Sequence, residues 1–126
     1  MENFPLKNET YQIISLCMEV QNTLGFGFSE VIYKDAIQME FESNELLFLR
    51  EPELTVLYKG KLLQHRFFAD FICYSTIIIE VKSSENGITD DYIAEALNYL
   101  KVTGNTIGLI INFGKRRLEH KRLILS

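Results

Sequence analysis

The sequence lacks the features that mark disordered, membrane-spanning and secreted proteins. Only two prolines occur among its 126 residues and 47% of the residues are hydrophobic, so the composition is globular rather than disordered. No apolar run approaches the roughly 18 residues that a membrane-spanning helix needs. The first residues do not follow the basic and then apolar order of a signal peptide. Length alone predicts a single domain over residues 1–126.

Cysteine is also scarce, which limits the chemistry that thiols can supply. The chain contains Cys17 and Cys73, one in a predicted helix and the other in a predicted strand. Their separation matches no metal-ligand spacing, and two buried, reduced thiols are the simplest expectation. Reduced thiols are usual in the cytoplasm, where we therefore expect the protein to work.

The chain has no excess of positive charge, since its formal net charge is −4. This charge argues against a protein that holds nucleic acid mainly through its overall field. Five of the thirteen basic residues nevertheless lie close together near the end of the chain: Lys115, Arg116, Arg117, Lys121 and Arg122. They either contact a phosphate backbone or guard a solvated edge strand with charge, and the sequence leaves both readings open.

Three segments have the spacing of helices, and the segments between them have the period of strands. The helices are bounded by residues typical of helix ends: Asn8 or Thr10 and Gly25 for the first, Ser29 and Asn44 for the second, Thr89 or Asp90 and Gly104 for the third. Strands are predicted over residues 46–51, 54–74 with a turn at Lys59-Gly60, 76–84, 106–114 and 117–125. A helix between strands of this mixed order predicts an α/β sandwich around one central sheet.

The strand "TIIIEVKSS" carries charges where a buried strand should have none. If the preceding hairpin is centred on Ser75, residues whose numbers sum to 150 face each other, and Asp70 then faces Glu80. Lys82 falls on the same face as Glu80, while Val81 points away. The pattern therefore predicts that two acids and one amine converge on one patch.

Two chemical interpretations of this patch remain open. Two adjacent carboxylates repel each other, and Mg²⁺ or Mn²⁺ would relieve the repulsion, because Mg²⁺ prefers hard oxygen ligands. Asp70, Glu80 and the backbone carbonyl of Val81 are then the candidate ligands, and Lys82 is placed to orient or help deprotonate an attacking water, or to stabilise charge on a phosphate. Alternatively, the charges form a buried ion network that fixes the strand register.

An aspartate at a strand end, followed after a hairpin by Glu80-Val81-Lys82, resembles the active-site signature of the PD-(D/E)XK nuclease superfamily. The stretch "GFSEVIY" fits the motif of the GxxExxY protein family, a bacterial branch of that superfamily, through Gly27, Glu30 and Tyr33. The segments "NYLKVTG" and "LIINFGKRRLEHKR" are also similar to that family, and the resemblance covers residues 8–124. It implies a restriction-endonuclease-like three-layer sandwich with a central mixed β-sheet flanked by helices.

The resemblance also implies roles for individual residues. Asp70 and Glu80 would hold the metal, Lys82 would be the catalytic lysine, and Glu30 would be an auxiliary acid that aids metal binding or orients water. The alternative role of Glu30 is to provide favourable charge at a helix N-terminus. Among the auxiliary positions, Gly27 lets the chain turn into the second helix and Tyr33 shares a helix face with Glu30, although packing alone explains a tyrosine there.

One position departs from the family pattern and puts activity in doubt. The family commonly has glutamine where this chain has Glu95, and an ionised glutamate only accepts hydrogen bonds. Glu95 would join the metal site, repel phosphate, or lie in solvent.

These observations predict a Mg²⁺- or Mn²⁺-dependent nuclease, with DNA as the favoured substrate and no membrane partner. The alternative is a catalytically weak or inactive nuclease-fold module that binds nucleic acid or a partner protein. Because the chain has no separate specificity domain, a homodimer is one way to gain reach.

Overall fold

The computed structural model describes residues 5–125 of the chain. Three helices occur in this part: α1 (Lys7–Leu24), α2 (Glu30–Ser43) and α3 (Asp90–Thr103). The strands are β1 (Phe48–Arg50), β2 (Glu53–Leu54), β3 (Leu57–Tyr58), β4 (Lys61–Leu62), β5 (Phe67–Phe68), β6 (Phe71–Cys73), β7 (Ile77–Lys82), β8 (Ile107–Asn112) and β9 (Glu119–Ile124). None of the described helices combines the length and apolar character that crossing a membrane requires.

Five strands form a mixed central sheet in the order β1-β6-β7-β8-β9. Strands β7 and β8 are parallel and are connected through α3, whereas the other neighbouring pairs are antiparallel. One face of the sheet packs against α1 and α2, and the other face packs against α3. The predicted α/β sandwich, with helices on both faces of a mixed sheet, is confirmed.

The helix boundaries follow the capping signals except at the first N-terminus. Thr10 N donates to Leu6 O at 2.9 Å, so the first helical hydrogen bond already encloses Asn8. The prediction that Asn8 or Thr10 caps α1 is therefore wrong, and both residues lie inside the helix. The later signals hold, and the Thr89 hydroxyl accepts a hydrogen bond from Tyr92 N at 3.2 Å at the start of α3.

The strand predicted to run from the Lys59-Gly60 turn to residue 74 is broken into β4, β5 and β6. Each piece has a different partner: β4 pairs with β3, β5 with β2, and β6 with β1 and β7. One continuous strand cannot follow three partners with different directions, so the chain bends between them. The turn at Lys59-Gly60 is present, and β3 and β4 form a separate two-stranded hairpin.

The hairpin that leads into β7 has the register predicted from the sequence. Phe71 pairs with Ile79, Ile72 with Ile78 and Cys73 with Ile77, so that paired residue numbers sum to 150. The turn is tight because Tyr74 and Ser75 adopt positive φ values of 55° and 61°. This register places Asp70, which directly precedes β6, opposite the charged end of β7.

Candidate active site

Strand β7 divides its side chains between the two faces of the sheet. Ile79 and Val81 pack in the core formed with α1 and α2, whereas Ile78 packs in the core formed with α3. Because side chains alternate along a strand, Glu80 and Lys82 project toward α3. Glu80 is only 4% exposed, so the sheet carries a carboxyl group into its interior.

The two acids are tied together through the backbone of the neighbouring strand. Asp70 N donates to Glu80 Oε2 at 3.0 Å, and Val81 N donates to Asp70 Oδ2 at 2.7 Å. Each carboxylate thus accepts a hydrogen bond from a backbone N–H of the neighbouring chain segment. The predicted juxtaposition of Asp70 and Glu80 is present, and hydrogen bonds from backbone N–H groups hold both side chains.

The pKa of Glu80 reflects its surroundings. Burial, followed by the charge of Asp70, raises the pKa of Glu80 to about 8, although the hydrogen bond from Asp70 N works in the opposite direction. Glu80 therefore holds a proton at neutral pH as long as no cation joins the pair. Strongly shifted carboxyl pKa values are common at functional sites.

Lys82 projects into the same patch and is paired with an acid from α3. Its Nζ lies 3.1 Å from Glu95 Oε1 and 4.5 Å from the centroid of the Tyr92 ring. Burial lowers the pKa of Lys82, but the hydrogen bond and charge of Glu95 and the charges of Glu80 and Glu30 outweigh it, so the net pKa is raised. Lys82 is therefore an ammonium ion at neutral pH and cannot act as a general base in this arrangement.

Lys34 and Tyr99 also belong to the patch, although neither was singled out from the sequence. Lys34 Nζ on α2 donates to Asp70 Oδ1 at 3.1 Å and to Glu51 Oε1 at 2.8 Å. Burial, followed by the charges of Glu80, Glu95 and Asp70, raises the pKa of Tyr99 to about 12. The spacing of Tyr99, one helical turn after Glu95, was a signal that would have found it.

The remaining motif residues lie at the start of α2. Glu30 is the first residue of this helix and is exposed, and its charge reaches Lys82. Tyr33 is fully buried and stacks on Phe113 with ring centroids 4.3 Å apart. Gly27 has a φ of 97°, a conformation that L-residues with side chains rarely adopt, as expected for a sharp turn into the helix.

The fold separates the basic residues near the end of the chain. Lys115, Arg116 and Arg117 lie in the loop between β8 and β9, whereas Lys121 and Arg122 lie on the edge strand β9. Successive side chains on β9 face opposite sides of the sheet. Lys121 shares a row with Glu80, because Ile110 pairs with both residues, and it therefore lies on the face that carries the acids. Contact of these five residues with phosphate stays a prediction.

The donor set of the patch fits a hard divalent cation that keeps other ligands from water or substrate. Mg²⁺ is commonly bound through one or two carboxylates. Lys82 O accepts a hydrogen bond from Phe113 N, so the backbone groups of Lys82 point toward β8. Adjacent residues of a strand direct their backbone groups to opposite edges, and the carbonyl of Val81 therefore points toward Asp70. Among residues 5–125, however, no group of three or more histidine, cysteine, aspartate or glutamate side chains is arranged to hold a metal. The structure thus does not assemble Glu30 with the two acids as a third carboxylate ligand.

Comparison with known proteins gives a family match and a similar fold. A family profile described as the PD-(D/E)XK nuclease superfamily matches residues 7–123. No curated protein matches the sequence significantly. A solved structure described as "Crystal structure of SSO0001" is similar to this chain, with a TM-score of 0.60 and 19% sequence identity. The similarity covers 77% of this chain and 52% of the other, so this chain spans about half the length of that protein, and the likeness concerns the fold alone.

Proposed function

This chain belongs to the PD-(D/E)XK nuclease superfamily, and we propose that it hydrolyses phosphodiester bonds of nucleic acid with the help of Mg²⁺ or Mn²⁺. The observation that carries the proposal is the paired arrangement of Asp70 and Glu80, each of which accepts a hydrogen bond from a backbone N–H of the neighbouring chain segment. Lys82 lies on the face of the sheet to which Glu80 projects. We propose DNA as the substrate. We also propose that the chain belongs to the GxxExxY branch of the superfamily, a proposal that Gly27, Glu30 and Tyr33 support.

The proposed ligands are the carboxylates of Asp70 and Glu80 and the carbonyl of Val81. A divalent ion held there would polarise the scissile phosphate and lower the pKa of bound water. Glu80 has to release its proton before its carboxylate can bind a cation, because its pKa is about 8. Metal affinity should therefore increase as the pH rises toward that value.

In this proposal Lys82 provides positive charge and does not act as a general base. Its ammonium group is protonated at neutral pH, and it can donate to an oxygen of the scissile phosphate as negative charge develops there. Glu95 holds this ammonium group at 3.1 Å and so restricts its position. The glutamate that replaces the family's usual glutamine thus positions Lys82 and also competes with phosphate for its charge.

Lys34 orients Asp70 from the other side. Its ammonium group bonds to Oδ1, and Val81 N bonds to Oδ2, so both oxygens of Asp70 have defined directions. We propose that Glu30, whose charge reaches Lys82, helps to orient water at the start of α2.

A cytoplasmic location is consistent with two free, buried cysteines, Cys17 and Cys73. The homodimer stays a prediction.

The second candidate function is a nuclease-fold module that binds nucleic acid or a partner protein without cleaving it. The ion pairs Lys82–Glu95 and Lys34–Asp70 favour this function, because Lys82 and Asp70, two of the proposed catalytic groups, already have partners of opposite charge. Such a module would bind divalent metal weakly. The absence of tight Mg²⁺ or Mn²⁺ binding that depends on Asp70 and Glu80 would therefore support this second function.

The experiment that tests the proposal is cleavage of labelled DNA and RNA by the purified chain with Mg²⁺, with Mn²⁺ and with EDTA. Asp70→Asn and Lys82→Ala each remove one proposed catalytic group, and we expect each to lower the rate at least about 100-fold. Lys101→Ala is a matched control, because Lys101 is an exposed lysine of α3 that lies outside the patch. Equal cleavage by the parent and by both site variants would refute the assignment.

A further inference from the structure

Two phenylalanine side chains lie exposed in the loop between α1 and α2. Phe26 is 51% and Phe28 is 48% exposed. Burying a phenylalanine side chain stabilises the folded chain, so leaving two of them in water forgoes stabilisation. Exposed apolar groups that lie next to each other commonly mark an interaction site.

The loop that carries the two rings is held in place rather than loose. The buried Tyr33 hydroxyl donates to Gly25 O at 2.8 Å and accepts from Phe28 N at 3.2 Å, which joins the two ends of the loop. The Ser83 hydroxyl donates to Phe28 O and fastens the loop to the end of β7. A fixed loop presents its aromatic rings at low entropic cost to a ligand.

The rings line a cleft next to the end of β7. The cleft has a volume of about 500 Å³, and Ser29, Ser83 and Glu85 also line it. Ser83 directly follows Lys82 in the chain, and Ser29 directly precedes Glu30. A ligand seated here would therefore lie beside the end of β7 and the start of α2.

The chemistry of the cleft selects a flat aromatic ligand with polar edges. Phenyl rings offer stacking faces, while two serine hydroxyls and one carboxylate offer hydrogen bonds at the rim. The guanidinium carbon of Arg116 lies over the Phe26 ring, 5.8 Å from its centroid, so positive charge adjoins this ring. A nucleobase with its flanking phosphate has these features.

We propose that Phe26 and Phe28 form a stacking site for an unpaired base, and that the chain acts on single-stranded nucleic acid at this position. In a duplex, neighbouring base pairs cover both faces of a base, so stacking on a side chain requires an unpaired nucleotide. The inference rests on the proposed function, because it names the class of substrate that the same site takes.

The test measures the binding of a short, fluorescently labelled single strand and of the matching blunt duplex by anisotropy, with Ca²⁺ in place of Mg²⁺ to suppress cleavage. The variants are Phe26→Leu, Phe28→Leu and the double variant, since leucine keeps an apolar side chain but removes the ring. Tyr58→Leu is the matched control. Tyr58 is 60% exposed and has Lys59 Nζ 5.5 Å from its ring centroid, but it lies on the β3–β4 hairpin rather than in the cleft.

We expect the double variant to bind the single strand about tenfold or more weakly, because stacking of one base on an aromatic ring is worth about 1–3 kcal/mol. Duplex binding, and single-strand binding by Tyr58→Leu, should change less than about twofold. A 2-aminopurine base in the strand should also lose its quenching by the protein in the double variant. Thermal unfolding of each variant confirms that it is folded.

The outcomes separate this inference from the proposed function. If the parent cleaves single-stranded nucleic acid and the double variant binds it as tightly as the parent, the stacking site is refuted and the nuclease assignment stands. Equal losses for duplex and single strand would refute the preference for unpaired bases. If the parent neither binds nor cleaves any nucleic acid, both proposals fail.

Discussion

Replacing the buried carboxyl group of Glu80 tests the electrostatics of the site without any metal. Glu80→Gln keeps the shape of the side chain and can still accept the hydrogen bond from Asp70 N, but it cannot ionise. The comparison of parent and variant therefore isolates the free energy of placing a charge at a position that is 4% exposed and adjacent to Asp70.

The direction of the effect follows from proton binding. The pKa of Glu80 is raised from 4.5 to about 8 in the folded chain, so the folded state keeps a proton that the unfolded state has already lost. The stability that this group contributes is fully present below about pH 4.5 and is lost as the pH rises through about 8. Each pH unit in this window lowers the free energy of unfolding by about 1.4 kcal/mol. The total loss of stability from Glu80 is therefore at most about 5 kcal/mol.

The assay is urea denaturation of parent and Glu80→Gln in EDTA at about pH 5 and about pH 9. We expect the two proteins to differ little at the lower pH, and the variant to be more stable by several kcal/mol at the higher pH. Glu45→Gln, an exposed position just after α2, is the control and should leave the pH profile unchanged. A difference between parent and Glu80→Gln that is the same at both pH values would refute the reasoning.

Two further predictions concern the framework around the site. Gly114→Ala should lower the free energy of unfolding by about 1–3 kcal/mol, because its Cβ would lie 2.3 Å from the backbone of Ser84. Gly108→Ala should cost less, because the atom nearest to its Cβ would be in the Leu100 side chain, at 3.5 Å. Tyr33→Phe removes the hydroxyl that joins the ends of the loop before α2 and should cost about 1 kcal/mol. Urea denaturation checks both, and equal stability of the two alanine variants, or an unchanged Tyr33→Phe, would contradict them.

The sequence predicted the paired acids because their placement depends on local rules. Strand alternation assigns Glu80 to one face, and a short hairpin with a fixed centre determines which residue faces it. Neither rule requires knowledge of the rest of the molecule. The same holds for the ends of α2 and α3, where capping residues stand beside the helices that they bound.

The partners that come from the helices were beyond the reach of sequence patterns. Lys34 contacts Asp70 only because α2 packs on the sheet at one particular rotation, and residues 36 positions apart carry no spacing signal. The pairing of Lys82 with Glu95 likewise depends on how α3 packs across β7 and β8. The basic segment near the end of the chain looked continuous in sequence, but a loop followed by an alternating edge strand distributes its side chains over different surfaces.

The binding of Mn²⁺ by the purified chain, followed by electron paramagnetic resonance, tests the central proposal most directly. We expect one ion per chain, with an affinity that rises with pH toward about 8 as Glu80 loses its proton. Asp70→Asn and Glu80→Gln should each abolish this binding, whereas Glu45→Gln should preserve it. Binding that persists unchanged in both site variants, or no binding by the parent at any pH, would contradict a metal-dependent site between these two acids.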